Sequence, residues 1–394
     1  MQDKSKAVVF IGCGYPMGGV LFLAHMGVEI YRKQENLDAD FFFAAIKGES
    51  QFGFWRIVHE MIPASRIVAA STFDEVSRMI VALARRYSKV VVHTAGGWGQ
   101  TKQIIAAKWR HRRDESRRIV LVGTTHSYRN DSWLRIPMSI FQYMMYRLFY
   151  RMVVFQCDYA VNRFVGGRRL IQDKRACVIP LGCETFDSFS LAAPQGGICP
   201  RVQKALSDSS VFKFVYLAEF RPGKNHRWLV TSLAPVLKSH PSSMLLLCGT
   251  GNRKMVENVV KCIHLNGVTS QVIMAGFVNR TAIPYVLSHC DCAIVPSGSE
   301  TFGHNFLEPM FAKIPVLGTA VGVGVEIIQN HRTGFTISLN KVKEFRYRAS
   351  FMIENREVVR KMGENAFMMV SDKYSHANVA ARHVELYNQL LKEG

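Results

Sequence analysis

Short, continuous apolar runs alternate with longer windows of helical periodicity along most of the chain. Residues 7–12 (AVVFIG) form one such run, which is typical of a parallel strand that is covered on both faces. A Gly/Pro loop follows, and then a predicted helix at residues 20–32. The same pattern predicts further strands at 41–45, 66–69, 89–93, 119–124, 159–161 and 177–179, with a helix at 72–87.

A second array of the same kind follows a break in the pattern. Residues 184–210 are rich in Ser, Pro, Gly and Ala and lack strong periodicity, which predicts an interdomain linker. The alternation then resumes, with strands predicted at 213–217, 243–248, 271–275, 292–296 and 316–318. Helices are predicted at 226–240, 252–265, 281–289 and 305–313, and a long amphipathic helix at 371–392.

Two consecutive arrays of alternating strands and helices predict an α/β protein with two doubly wound, Rossmann-like domains that face each other across a cleft. The predicted boundaries are 1–190 and 200–371, with a C-terminal helix at 372–394 that packs back on the N-terminal domain. Ligands in such sheets bind outside the carboxyl ends of the strands. The loops that directly follow strands are therefore the candidate sites.

The composition is that of a globular protein. Of the 394 residues, 48% are hydrophobic and 20% are charged. We expect no signal peptide, since the charged start MQDKSK runs straight into a strand, and no transmembrane helix, since no uncharged apolar run approaches about 18 residues. The nine cysteines are scattered, which indicates reduced cytosolic thiols.

Positive charge is concentrated in one part of the chain. The formal net charge is +20, and residues 101–175 hold 16 Lys and Arg against five Asp and Glu. An anionic partner would explain this imbalance, and a solvated basic face is the alternative. The aromatic run at 136–157, interrupted by Arg147 and Arg151, suits docking on an anionic membrane surface through residues 132–175. An ordinary helix between sheet and solvent fits it equally well.

Two loops of the N-terminal half could carry chemistry. In GCGYPMGGV (12–20), Met17 breaks the dinucleotide-binding spacing, but Gly18 and Gly19 could bring backbone amides to a phosphate. A plain tight turn is the alternative. His126 directly follows a strand, although a histidine in that position is more often structural.

The C-terminal half contains four candidate loops, and the most informative is PSGSETFGHNFLEP (296–309). Glu300 lies in a loop that leads into a helix, and Pro309 fits only near the start of that helix. The helix is therefore predicted to begin near His304, with Glu308 in its first turn. The other loops contribute the cations Arg221 and Lys224, the Gly249 turn of LLLCGTGN, and the segment IMAGFVNR (273–280).

The stretch ETFGHNFLEPMFAKIPVLGT, followed by GVEIIQNHRTGFTI, resembles the donor-site signature of glycosyltransferase family 4, whose members are retaining enzymes of the GT-B fold. Glu300 and Glu308 have the spacing of its two glutamates. The resemblance extends over residues 213–337, where VYLAEFRPGKNH, LLLCGTGN, IMAGFV and CDCAIVPSGSETFG occur in the family's order. The N-terminal half matches only through Gly18, Gly19 and His126.

The resemblance implies a role for each matched residue. Glu308 would accept hydrogen bonds from the ribose of a nucleotide donor, Glu300 would contact the transferred sugar, and Lys224 would pair with the phosphates. The catalytic residues would be Glu300, Lys224 and His126. The donor-binding residues would be Gly18, Gly19, Arg221, Lys224, Gly249, Phe277, Val278, Glu300, Phe302, Gly303, His304, Asn305 and Glu308, with Phe277 and Val278 beside the nucleobase.

The chain departs from the family pattern at one phosphate-binding position. Glu219 stands where an arginine is frequent in the family, five residues before Lys224. Some members carry an acidic residue at that position. Arg221 is the candidate replacement for the missing cation.

The implied function is retaining transfer of a sugar, with UDP as the expected donor nucleotide, to a glycan or lipid-linked oligosaccharide acceptor in bacterial surface polysaccharide synthesis, such as lipopolysaccharide. No metal or other cofactor is expected to be obligatory, because basic residues and helix N-termini can neutralise the leaving diphosphate. The expected location is cytoplasmic, peripheral on the inner face of the cell membrane.

Rival functions make different demands on the sequence. A nucleotide-sugar epimerase would share the fold and need no acceptor. A dinucleotide oxidoreductase would need the glycine spacing that Met17 breaks. A basic protein that binds nucleic acid or membrane without catalysis would explain the charge but not Glu300 and Glu308, and no nucleic-acid partner is expected.

Overall fold

The computed structural model describes residues 4–11, 20–46, 58–94, 105, 113–125, 136–184 and 198–393. Its contacts group into two compact units. The first is Met1–Gly182 together with Tyr374–Gly394, and the second is Cys183–Lys373. The first unit thus ends a few residues before position 190, where the sequence placed the end of the N-terminal domain.

The first unit contains a seven-stranded parallel sheet in the order β3-β2-β1-β4-β5-β6-β7. Its strands are β1 (Lys6–Ile11), β2 (Asp40–Ile46), β3 (Ile67–Ala70), β4 (Lys89–Thr94), β5 (Ile119–Thr124), β6 (Met152–Phe155) and β7 (Ala176–Val178). Its described helices up to Gly182 are α1 (Val20–Arg32), α2 (Phe73–Arg86), α3 (Arg113–Arg118), α4 (Ile136–Phe149), α5 (Asp158–Arg163) and α6 (Gly167–Gln172).

The second unit repeats the order of the first six strands as β10-β9-β8-β11-β12-β13, again all parallel. Its strands are β8 (Phe212–Leu217), β9 (Ser243–Cys248), β10 (Val272–Gly276), β11 (Cys292–Val295), β12 (Val316–Thr319) and β13 (Gly334–Ile337). Its helices are α7 (Pro200–Ser207), α8 (His226–Ser239), α9 (Arg253–Leu265), α10 (Ile283–Ser288), α11 (His304–Phe311), α12 (Gly324–Ile327), α13 (Val342–Glu354) and α14 (Arg356–Ser371).

The last helix, α15 (His376–Lys392), belongs to the first unit. Its apolar face, which includes Val384, Tyr387 and Leu391, lies in the same buried cluster as Val8 and Phe41 of the sheet. A polar contact adds to this packing, because the Tyr387 hydroxyl lies 2.5 Å from a ring nitrogen of His93. The chain therefore completes the core of its first unit with its final segment.

Local sequence explains most of these elements. In β1, Ala7–Ile11 are all buried, as expected of a parallel strand with both faces covered. Helix α2 begins at a Thr72 cap whose side chain accepts from the Glu75 amide, while the Glu75 carboxylate accepts from the Ser71 amide. The α/β class and the parallel sheets predicted from the sequence are confirmed.

Several predicted elements are wrong. Residues 159–161 lie in α5 and not in a strand, and the sixth strand is Met152–Phe155, which the sequence joined to the apolar run before it. The assumed linker contains α7. The long helix that was predicted at 371–392 begins only at His376, because Ser371 is the last residue of α14 and Ser375 caps α15. Helices α13 and α14 and strand β13 were not predicted.

Candidate functional site

The candidate site of the second unit lies at the carboxyl ends of its central strands. The strand order reverses direction between β8 and β11, and ligands of doubly wound sheets bind at such a reversal. Two hydrogen bonds join the loops that follow these strands. The Asn225 side chain donates to the Pro296 carbonyl at 2.8 Å, and the Gly298 amide donates to the Gly223 carbonyl at 2.9 Å.

Lys224 and Glu300 form an ion pair across these joined loops. The Lys224 ammonium donates to a Glu300 carboxylate oxygen, and their side chains are only 10% and 9% exposed. The Asn305 side-chain amide donates to the same oxygen at 3.3 Å. The side-chain oxygen of Asn305 is buried and has no hydrogen-bond partner among the described residues. The site thus contains a buried acceptor beside the Glu300 carboxylate.

Helix α11 begins directly after this loop. Gly303 precedes it with φ of +98°, a left-handed conformation that glycine adopts without strain. The predicted helix start at His304 is confirmed, with Pro309 inside the short helix. Glu308 is the fifth residue of α11, so it lies just beyond the first turn in which it was predicted. The Phe302 side chain is buried and its carbonyl accepts from the Val323 amide at 2.7 Å, so Phe302 anchors the loop.

Glu308 also has a cationic partner, which sequence reasoning missed. A guanidinium nitrogen of Arg280 donates to the Glu308 carboxylate at 3.1 Å. Burial raises the pKa of Glu308, and Arg280 opposes that rise. Arg280 closes the segment IMAGFVNR, which the sequence singled out as a loop after a strand. That signal could locate the residue, but it could not identify its partner.

The Gly249 turn brings the ends of β8 and β9 close together. Gly249 has φ of +149°, and a Cβ atom there would lie 2.0 Å from the Ala218 carbonyl oxygen, so the turn requires glycine. Its amide donates to the Gly276 carbonyl at 2.8 Å. Phe277, the next residue, is 72% exposed, whereas Val278 is buried. Phe277 therefore offers an accessible aromatic face, and Val278 offers none.

Arg221 differs from Lys224 in its surroundings. Its side chain is 58% exposed, and its closest acidic atom is a Glu219 carboxylate oxygen at 3.9 Å. Below this turn, the buried His226 ring stacks on Phe220 with 4.1 Å between ring centroids. Burial lowers the pKa of His226 to about 4, so this histidine is neutral near pH 7 and serves the packing of the turn.

The predicted site residues of the N-terminal half, Gly18, Gly19 and His126, lie outside the described residues. They follow β1 and β5 along the chain.

The only Asp-x-Asp sequence of the chain, Asp38 to Asp40, lies at the amino end of β2. Asp40 accepts a hydrogen bond from the Tyr87 hydroxyl at 2.7 Å and pairs with Arg66 at 3.0 Å. It therefore stabilises the packing of the first unit.

The site thus combines two buried carboxylates, each beside a cation, with the N-terminus of a helix. Carboxylates accept hydrogen bonds from hydroxyl groups, whereas Lys224 and the helix amides favour an anion. A ligand with hydroxyl groups on either side of a diphosphate would use both kinds of group.

Comparison with known proteins agrees with this geometry. Residues 201–369 match the family model described as glycosyl transferases group 1. Over 165 residues the chain is 28% identical to an uncharacterized glycosyltransferase of Methanocaldococcus jannaschii, covering 42% of this chain and 41% of the relative. It is 24% identical over 179 residues to N-acetyl-alpha-D-glucosaminyl L-malate synthase of Bacillus anthracis, covering 45% and 46%. The chain thus spans about half the length of these relatives.

The whole fold also has a solved counterpart. The crystal structure of Anabaena HepE in complex with UDP and glucose superposes with a TM-score of 0.73 at 17% identity, over 97% of this chain and 99% of HepE. This similarity shows that the chain has the fold of the GT-B glycosyltransferases. Within that fold, the match to the model of the glycosyl transferases group 1 lies in the second unit, at residues 201–369.

Proposed function

We propose that this protein is a retaining glycosyltransferase of family 4, which moves a sugar from a nucleotide diphosphate sugar to a glycan acceptor. The observation that carries the proposal is the pair of buried carboxylates, Glu300 with Lys224 and Glu308 with Arg280, on either side of the α11 N-terminus. UDP is the proposed nucleotide, because HepE, which has the same fold, was solved with UDP and glucose.

The donor would use each group of the site according to its charge. Glu308 would accept hydrogen bonds from the ribose, and Phe277 would stack on the nucleobase with its exposed ring. Glu300 and the buried Asn305 side-chain oxygen would accept from hydroxyls of the transferred sugar. Lys224 would leave Glu300 for the diphosphate, and Arg221 and the Gly249 turn would lie beside the nucleotide.

The reaction would keep the anomeric configuration. The bond between the anomeric carbon and the diphosphate oxygen breaks, and the acceptor oxygen bonds to that carbon on the same face. The acceptor proton passes to an oxygen of the departing nucleoside diphosphate. Lys224 and the amides of Gly303, His304 and Asn305 stabilise the negative charge that develops on the leaving group, so the mechanism needs no obligatory metal.

In this proposal the first unit binds the acceptor. Gly18, Gly19 and His126 would contact the donor and its sugar from the loops after β1 and β5. The proposed acceptor is a glycan or lipid-linked oligosaccharide of bacterial surface polysaccharide synthesis. The proposed location is the cytoplasmic face of the membrane, with peripheral attachment. None of the helices within the described ranges is long and apolar enough to cross a bilayer.

A panel of nucleotide sugars tests the donor assignment. The purified protein should bind a UDP-sugar more tightly than the GDP- and ADP-sugars, and should release UDP slowly by hydrolysis when no acceptor is present. Nuclear magnetic resonance of the product would show retained anomeric configuration. An inverted product would refute the retaining mechanism, and conversion of the donor into a different nucleotide sugar without an acceptor would indicate an epimerase.

A further inference from the structure

Helix α4 exposes an apolar stripe. Ile140, Phe141, Met144 and Leu148 are 44%, 44%, 53% and 69% exposed. Their spacing places them on one face of the helix, because residues three and four apart are neighbours on a helix surface. A group of large apolar side chains on a protein surface marks a site of interaction with another apolar surface.

The opposite face of α4 packs on its own unit. The Tyr146 ring lies 5.1 Å from Tyr150 and 5.7 Å from Phe164, measured between centroids. Tyr143 packs over Gly166, where an added Cβ would lie 2.3 Å from the tyrosine ring. Tyrosines therefore face the unit while aliphatic side chains and Phe141 face outward, the reverse of an ordinary surface helix.

A basic cavity lies at the amino ends of β1, β4 and β5, on the opposite edge of the sheet from the loops that carry the predicted site residues. Its volume is about 550 Å³. The acidic residue of its lining is Glu393. Six cationic side chains also line it, namely Lys6, Lys89, Arg117, Arg118, Arg151 and Lys392. Apolar side chains, among them Phe149 and Leu390, complete the lining.

The charges of this cavity are only partly compensated. The Glu393 carboxylate pairs with Arg151 at 2.7 Å, and an Asp38 carboxylate oxygen lies 3.9 Å from the Lys392 ammonium. The Lys89 ammonium donates to the Glu393 backbone carbonyl. Burial, together with the nearby Lys6 and Arg151, lowers the pKa of Lys89 even though Glu393 opposes the change. An added anion would relieve the repulsion among these cations.

The stripe leads to the cavity. Helices in this unit run back along the parallel strands, so α4 ends where β6 begins, at the amino edge of the sheet. Leu148 is the last residue of the stripe, Phe149 lines the cavity, and Arg151 follows. At 1.5 Å per residue, the stripe from Ile140 to Leu148 extends over about 12 Å and ends at the cationic rim.

We propose that this face of the first unit docks on an anionic lipid bilayer. The α4 stripe enters the boundary between headgroups and acyl chains, and the basic cavity takes the phosphate of a lipid headgroup. A soluble anion would use the cavity but not the stripe, which is why the two features together favour a lipid. The inference specifies the contacts of the peripheral attachment proposed above, and it holds whether or not the protein transfers sugar.

Co-sedimentation of the full chain with vesicles tests the proposal. The vesicles contain phosphatidylcholine alone or mixed with phosphatidylglycerol, at low and high salt. We expect binding to the mixed vesicles only, and weaker binding at high salt because salt screens the cavity charges.

Two double variants separate the features. Met144→Ser with Leu148→Ser should lower the vesicle partition coefficient about tenfold or more at either salt concentration, because apolar area no longer enters the membrane. Lys6→Gln with Arg117→Gln should lower it about fivefold per cation at low salt and little at high salt. The matched control joins Leu265→Ser and Arg253→Gln in the second unit, where these side chains are 87% and 93% exposed. It should bind like the parent protein.

Other outcomes would overturn the proposal. These are equal binding to both kinds of vesicle, parent-like binding by both double variants, or no vesicle binding at all. Thermal stabilisation by inorganic phosphate without vesicle binding would indicate a soluble anion, and retention of single-stranded DNA without vesicle binding would indicate a nucleic acid. Hydrolysis of the nucleotide sugar, measured without vesicles, should be the same in all variants, so failure of docking and failure of the proposed enzyme function are distinguishable.

Discussion

Glu300 and Glu308 differ in what surrounds their carboxylates. Glu300 faces the ammonium of Lys224 and the side chain of Asn305, in a loop at the strand reversal. Glu308 is buried within a helix against Arg280. The difference suggests that Glu300 acts on the reacting part of the donor and that Glu308 holds a part that does not react.

Alanine substitutions should separate these roles. Glu308→Ala should weaken nucleotide binding about 10- to 100-fold, since hydrogen bonds to a charged acceptor are lost. Glu300→Ala should mainly slow transfer, on the order of a hundredfold, because the sugar is no longer oriented. Calorimetry with the nucleotide and steady-state kinetics measure the two effects. Unchanged kinetics and binding in both variants would contradict the assigned roles.

Arg280 should control the pH dependence of donor binding. Burial raises the pKa of Glu308, so its charge and donor affinity should be lost, as pH falls, at a higher pH than for an ordinary glutamate. Because Arg280 lowers that pKa, Arg280→Gln should move the loss to still higher pH. Nucleotide affinity measured across pH tests this, with Arg332→Gln as the control on the surface of the same unit.

The raised pKa of Glu308 makes the folding stability change with pH in the opposite direction to the donor affinity, so that it falls as pH rises. A raised folded-state pKa means that the native state binds the Glu308 proton more readily than the unfolded chain does. Its contribution to stability is therefore present below the unfolded pKa and is lost as pH rises through the folded value.

If Arg280→Gln left the pH profile of nucleotide affinity unchanged, the ion pair between Arg280 and Glu308 would have no part in donor binding.

At the scale of elements, the buried side chain of Phe306 packs α11 against its neighbours. Phe306 is fully buried, and its ring lies where a Cβ on Gly318 or Gly324 would be, at 2.5 and 2.9 Å. The two glycines thus leave room for the ring that holds the helix against β12 and α12. The positions of Gly303, His304 and Asn305 follow from this packing.

Phe306→Ala should destabilise the second unit by about 3–5 kcal/mol, the range for removing a large buried aromatic side chain. Chemical denaturation with a probe in that unit measures the loss. Met368→Ala is the control, because Met368 is 64% exposed and its removal should have little effect. A cost for Phe306→Ala no larger than that of the control would show that the helix is held by other contacts.

At the scale of the whole molecule, the first unit is assembled from the two ends of the chain. Helix α15 contributes Val384, Tyr387, Leu390 and Leu391 to the buried cluster of that unit. The same helix contains the buried His383, whose pKa is lowered by burial to about 3, so its ring is neutral near pH 7. The first unit is therefore incomplete until the chain has passed through the second.

A chain that ends at Lys373 should lose the stability of its first unit and keep that of its second. Hydrogen exchange would show the loss as reduced protection of the strands from β1 to β7, because the apolar face covered by α15 becomes exposed. Protection of β8 to β13 is the internal control. Parent-like protection of the first sheet would mean that α15 is not needed to complete its core.

The sequence by itself determined the elements whose cause is local. Buried parallel strands are continuous apolar runs, so β1 and β8 could be located from their own residues. The start of α11 was predicted near His304 from Pro309, which restricts the backbone locally, although Pro309 is the sixth residue of the helix and lies beyond its first turn. The spacing of Glu300 and Glu308 likewise supported the resemblance that predicts a donor site in this segment.

Only the tertiary structure decided which groups meet. Lys224 is 76 positions from Glu300, and Arg280 is 28 from Glu308, so their pairing depends on the order of the strands and not on their neighbours in the chain. The division of the 136–157 run into α4 and β6, and of α4 into a packed and an exposed face, has the same origin. Periodicity shows that a segment is apolar, but burial depends on what the rest of the fold brings against it.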